Sequence, residues 1–205
     1  YKRQLLLLLI YLAFISLGLP DSLLGSAWPV MHKAFQVPLS YAGLVTMIIS
    51  VGTICSSLMS ERLTKKFGTQ IVTVFSVMLT AIALFGFSTA SAFWMLCLWA
   101  VPYGLGAGAI DAALNNYVAL HYNSRHMSWL HCFWGLGTII SPYVMSYALT
   151  TSVWQNGYRM VSFIQIGITL ILFVTLPIWK VNKKETAQEE KAEEEMVGIK
   201  GCLLY

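Results

Sequence analysis

The sequence predicts an all-α membrane protein whose six transmembrane helices form two inverted repeats of three. Three observations carry that expectation. Of 205 residues, 57% are hydrophobic and 11% charged, whereas soluble domains average roughly 45–50% apolar and about 25% charged. Six stretches reach the roughly 20 apolar residues that a helix needs to cross a hydrocarbon layer about 30 Å thick. Shifted by 90 residues against itself, the sequence lays the first three stretches on the last three.

The spans are expected at 4–30, 40–60, 70–88, 93–120, 127–149 and 160–179. The first is too long for a signal peptide, has no small-residue cleavage site and is followed by further spans, so it reads as a helix. Short polar breaks separate the rest, which makes each helix turn straight back. Lysine and arginine set the orientation. With the N-terminus in the cytoplasm, the inner segments hold Lys2, Arg3, Arg62, Lys65, Lys66, Arg125, Lys180, Lys183, Lys184, Lys191 and Lys200, against Lys33 and Arg159 outside. Both ends are therefore expected in the cytoplasm of a cell (inner) membrane protein.

Residues 1–180 thus form a six-helix transmembrane domain, and 181–197 a charged cytoplasmic linker that holds six of the nine acids. Residues 198–205 turn apolar again and read as the start of a truncated seventh helix, so a longer parent chain is expected. The net charge of +4 forms no basic patch apart from apolar flanks, which argues against nucleic acid. Cys55, Cys97, Cys132 and Cys202 stand singly, without the spacing of a metal site or a disulfide framework.

The 90-residue offset places Gly18-Leu-Pro-Asp21 on Gly108-Ala-Ile-Asp111. Three crossings are an odd number, so the second repeat enters from the opposite side. A two-fold axis in the membrane plane then sets Asp21 and Asp111 on opposite sides of the midplane, each roughly 6–8 Å away at 1.5 Å per residue. Intramembrane carboxyls are costly and normally face a cavity or a partner. With no lysine or arginine at their depth, Asp21 and Asp111 are candidate proton-coupling groups, the other reading being a carboxyl bonded to a neighbouring helix.

Pro20 removes a backbone donor beside Asp21 and is expected to break the first helix there. Asn115 lies four residues from Asp111 and shares its face. It reads as a contact for a neutral, hydroxyl-rich solute or as an interhelical hydrogen bond. His131 reads as a proton relay, a solute contact or a structural group. Trp134 lies deep enough to stack on a sugar-like ring. Gly104-x-x-x-Gly108 and Gly135-Leu-Gly137 lie inside apolar spans and are read as close-packing surfaces rather than nucleotide loops.

The chain resembles the N-terminal six-helix half of a major facilitator superfamily transporter. The segment Leu63-Thr-Lys65-Lys66-Phe67-Gly68 is similar to that superfamily's Asp-Arg-x-Gly motif without its aspartate, which implies a gating loop of Glu61, Arg62, Lys65, Lys66 and Gly68, with Glu61 pairing with a helix end. Gly104 through Tyr117 and Ser128 through Pro142 are similar to the fucose permease branch of proton-coupled sugar symporters. That resemblance carries proton coupling or sugar binding onto Asp21, Asp111 and Asn115. Aspartate stands at 111 where fucose permease has glutamate, and serine at 128 where the branch often has asparagine, so fucose itself does not follow.

The resemblance implies half of a twelve-helix fold, with the lipid bilayer, a small-molecule solute and a C-terminal six-helix half as partners. It implies alternating access driven by a proton gradient, with no other cofactor. The alternatives are a proton-driven drug or metabolite exporter and a membrane sensor that no longer transports. No metal-ligand or nucleophile-base spacing falls within the spans, so an enzyme is not expected.

Overall fold

The computed structural model describes residues 2–177. The linker expected at 181–197 and the apolar segment 198–205 lie outside the described residues. Helices α1 (Lys2–Asp21) and α2 (Leu23–Ala34) together make the first crossing. The others are α3 (Ala42–Phe67), α4 (Thr69–Thr89), α5 (Phe93–His121), α6 (Ser124–Thr151) and α7 (Trp154–Val174). Six helical segments are long and apolar enough to cross a membrane, and the described residues contain no strand. The protein is a multi-pass, all-α membrane protein.

Two boundaries depart most from the spans expected from sequence. The second span does not end at residue 60, and Glu61, Arg62, Lys65 and Lys66 are not in a loop, because α3 continues to Phe67. Nothing between Ser60 and Phe67 breaks a helix, and charged side chains are accommodated where a helix leaves the apolar layer. Glu61 pairs not with another helix end but within its own helix, its Oε1 lying 2.6 Å from Lys65 Nζ. The sixth span starts at Trp154 rather than 160, because Trp154 and Tyr158 are buried and packed against Phe35 and Phe87. Only Gly68 joins α3 to α4, and its φ of 87° lies in the region that side chains disfavour. The glycine of the loop motif is thus required by a one-residue reversal between two long helices.

The packing follows the repeat. Helix α1 lies chiefly on α6, and α5 lies on α3 and α4. The α1–α6 and α5–α3 contacts are the same pairing under the 90-residue offset. Each is a close approach of backbones. A Cβ added at Gly18 or Gly137 would strike the carbonyl of Trp134 or Ile15, and one at Gly104 or Gly108 the carbonyl of Ile49 or Thr53. Gly18 and Gly108 are repeat partners, as Asp21 and Asp111 are. The hydroxyls of Thr53, Ser57 and Ser60 donate to the carbonyls of Gly104, Gly108 and Ala109 at 3.3, 3.1 and 3.2 Å. Such hydroxyl bonds between helices are typically worth somewhat under 1 kcal/mol.

Two large apolar cores result among the described residues, beside a small cluster of Val72, Ala109 and Ala113. One gathers Leu23, Met31, Leu84, Phe87, Leu96 and Trp154. The other gathers Leu6, Ile10, Phe14, Leu114, Leu130 and Leu172. Buried Thr80, Ser162 and Gln165 lie at the boundary, with Ser16 just before it, since the helices pass from one core to the other between Leu17 and Leu19, Val77 and Ala83, and Val161 and Ile168.

Candidate functional site

Four helices build one cavity. On α1, Phe14, Leu17 and Asp21 share a face at spacings of three and four. On α5, Tyr103, Ala107, Asp111 and Asn115 succeed one another at four-residue steps along an inclined ridge. Helix α3 adds Ile49 and Thr53, and α6 adds His131 and Trp134. These residues, apart from Asn115, line a cavity of about 340 Å³ that no lysine or arginine borders.

Both aspartates therefore look into one space. Helix α1 ends at Asp21 and the chain resumes as α2 at Leu23, so the break expected from Pro20 falls beside the carboxyl. Tyr103 donates its hydroxyl to Asp21 Oδ1 at 3.1 Å, and Trp134 donates Nε1–H to Oδ2 at 2.9 Å. Each oxygen of Asp21 is held by a neutral donor rather than by a cation. Asn115 Nδ2 donates to Asp111 Oδ1 at 3.0 Å, so the amide acts on Asp111 and does not itself line the cavity. Asn115 Oδ1 is buried without a hydrogen-bond partner. The His131 ring meets Phe14 edge-on at 6.1 Å. Trp134 is 38% exposed, so its indole faces the cavity while its N–H is engaged.

Asp21 also borders a second cavity of about 180 Å³, lined by Leu24, Thr46, Leu84, Phe87 and Tyr158. Asp21, Ile49 and Tyr103 belong to both walls. The pair Asp21–Tyr103 is therefore a partition between two spaces.

The structure does not bring Glu61, Arg62, Lys65, Lys66 or Gly68 to this site. Glu61 and Lys65 border a separate cavity of about 490 Å³ with Ser57, Ser60, Thr64 and Asn116, at the end of α3. Tyr103, Thr53 and Gln165 escaped the sequence reading. Tyr103 was legible, since it lies two four-residue steps before Asp111 on the same ridge. Gln165 carried a signal too, as the only glutamine within the span expected at 160–179.

The break in the first helix leaves a backbone problem. Pro20 has no N–H, so the Ser16 carbonyl loses its intrahelical donor. Gln165 Nε2 from α7 donates to that carbonyl at 2.6 Å, while Gln165 Oε1 accepts from Thr80 Oγ1 of α4 at 3.1 Å. Ser16, Thr80 and Gln165 are all buried. No group of three potential metal-ligating side chains occurs among the described residues.

The sequence profile of the Major Facilitator Superfamily matches residues 10–202. The chain belongs to the major facilitator superfamily. It is a transporter-family chain and not an enzyme. "Bypass of stop codon protein 6" of Saccharomyces cerevisiae is 23% identical over 163 residues, covering 78% of this chain and 33% of that protein. "Glucose/mannose transporter GlcP" of Bacillus subtilis is 22% identical over 182 residues, covering 87% of this chain and 44% of that protein. The chain thus spans less than half the length of either relative. Within the superfamily fold, α1 and α5 place two carboxyls on one cavity.

Proposed function

We propose that the chain forms the N-terminal half of a proton-coupled symporter for a small neutral solute, most simply a sugar, working by alternating access. The observation that carries this reading is Asp21, held by Tyr103 and Trp134 on a cavity it shares with Asp111. Two carboxyls facing one space without a cation are suited to taking up and releasing protons as access alternates. The absence of lysine and arginine from the lining disfavours an anionic solute. A partly exposed indole, with His131 and the Asp111–Asn115 pair nearby, offers a stacking face and polar contacts to a ring bearing hydroxyls. The name of the Bacillus subtilis relative fits the same class.

The cavity's other wall is assigned to a C-terminal half, and both ends of this half to the cytoplasmic side of a cell membrane, as the lysine and arginine distribution favours. The segment from Glu61 to Gly68 keeps a gating role in this proposal, now as a helix end and a one-residue hinge.

A panel of neutral sugars offered to vesicles holding the full-length protein, at two external pH values, tests the proposal. Uptake of at least one sugar should alkalinise the medium, and Asp111→Asn should abolish accumulation against a gradient. Accumulation unchanged in Asp111→Asn would overturn the coupling role. Drug efflux without sugar uptake would favour the exporter reading, and binding without flux the sensor.

A further inference from the structure

We propose that Gln165 is a positioning residue that fixes the break in the first helix and thereby aims Asp21 at Tyr103 and Trp134. The inference rests on the reading that Asp21 works in transport, and its test is chosen to stand apart from transport.

A glutamine in the middle of an apolar span is costly unless both ends of its amide are satisfied. Gln165 is 1% exposed, and both ends are used. Its Nε2 supplies the donor that Pro20 cannot, at the carbonyl of Ser16, and its Oε1 is anchored by Thr80. One side chain thus ties α1, α4 and α7 together at the boundary between the two apolar cores, one turn ahead of Asp21. A buried carbonyl left without a donor favours a different bend that finds one. Moving the break to before Asp21 puts the aspartate in the downstream segment, and each residue of shift in a helix is a rotation of about 100°. Asp21 would then leave both donors, because the Tyr103 and Trp134 bonds are made from other helices.

The mechanism also says what would make Gln165 dispensable. In Pro20→Ala, residue 20 regains its N–H, and the Ser16 carbonyl has an intrahelical donor again. The need for Gln165 should fall in that background, and in no other that leaves residue 20 as proline.

The experiment uses the full-length protein in membranes, with two readouts. The first is the rate at which a hydrophobic carbodiimide labels Asp21, read by peptide mass spectrometry. The second is the thermal midpoint after detergent extraction. Gln165→Met removes both hydrogen bonds at similar volume, and should raise Asp21 labelling at least threefold and lower the midpoint. Gln165→Glu, which protonated offers the same donor and acceptor, should stay within twofold of the parent in labelling. In Pro20→Ala, adding Gln165→Met should lower the midpoint by less than half as much as it does with proline present. Should Gln165→Met fail to fold, Thr80→Val loosens the anchor alone and should raise labelling by a smaller factor.

Unchanged Asp21 labelling in Gln165→Met beside a lowered midpoint would overturn the proposal, leaving only a packing role. So would an equal midpoint loss with and without Pro20. Labelling and midpoints as expected, in a protein that moves no solute, would support the positioning role and overturn the symporter reading instead.

Discussion

Alanine at Gly137 and alanine at Gly135 should have opposite effects, although the two positions are two residues apart in one helix. A Cβ at Gly137 would lie 2.9 Å from Leu19 N and 3.0 Å from Gly18 C, and nearer still to the Ile15 carbonyl. All three are backbone atoms of α1, so no side chain can swing aside. Ordinary contact for a Cβ begins at 3.4 Å, so α1 and α6 must part by at least about 0.5 Å, which already forfeits about a quarter of each dispersion contact across the crossing. The same parting stretches the 2.9 Å Trp134–Asp21 bond beyond the usual limit of about 3.2 Å. Overpacking costs about 1–3 kcal/mol and a lost hydrogen bond about 1 kcal/mol, so Gly137→Ala should destabilise by about 2–3 kcal/mol. At Gly135 an added Cβ meets nothing within 4 Å, and replacing a helical glycine there should stabilise by about 0.5–1 kcal/mol. The two variants should differ by about 3 kcal/mol, over a hundredfold in the unfolding equilibrium. Denaturant titration of the full-length protein in detergent, followed by tryptophan fluorescence, measures that gap. Equal midpoints, or a greater loss at Gly135, would refute the claim that backbone contact at this crossing is what the glycine serves.

Other substitutions probe the hinge, the helix-end ion pair and the donors to Asp21. Gly68→Ala should cost about 1–3 kcal/mol, the usual penalty for a side chain forced into this backbone region, and should show as a lowered thermal midpoint. Glu61→Gln removes a solvent-exposed pair within one helix, so the midpoint should not move. Tyr103→Phe and Trp134→Phe each delete one donor to Asp21 while keeping a ring. Each should slow initial solute uptake severalfold, and the double variant should lose more than either alone; a double variant that matches the parent would count against both contacts.

The spans were legible because roughly 20 consecutive apolar residues have few alternatives to crossing a bilayer. The aspartates stood out for the same reason, since polarity is rare in such stretches. What the sequence hid lies across helices. Asp21 meets Tyr103 and Trp134 from 82 and 113 residues away, and no spacing within α1 encodes that meeting. Tyr103 was one aromatic among many until its ridge reached Asp111. The polar run from Glu61 to Lys66 resembled a loop because composition alone does not separate a loop from a helix emerging into the headgroups. Pro20 told where α1 breaks, but not that α7 would supply the missing donor.

The interleaved pairing of the repeats has a consequence for how the protein is made. The first helix has its closest partner not in its own repeat but in α6, and Trp134 is 113 residues downstream of Asp21. At synthesis rates of about 5–20 residues per second, that partner leaves the ribosome about 6–23 s after the aspartate. Throughout that interval the nascent first helix presents a bare glycine face and a proline break to the insertion machinery, and its carboxyl has neither donor until Tyr103 follows 82 residues behind it. Neither three-helix repeat can close on its own, so assembly of these six crossings waits for the fifth.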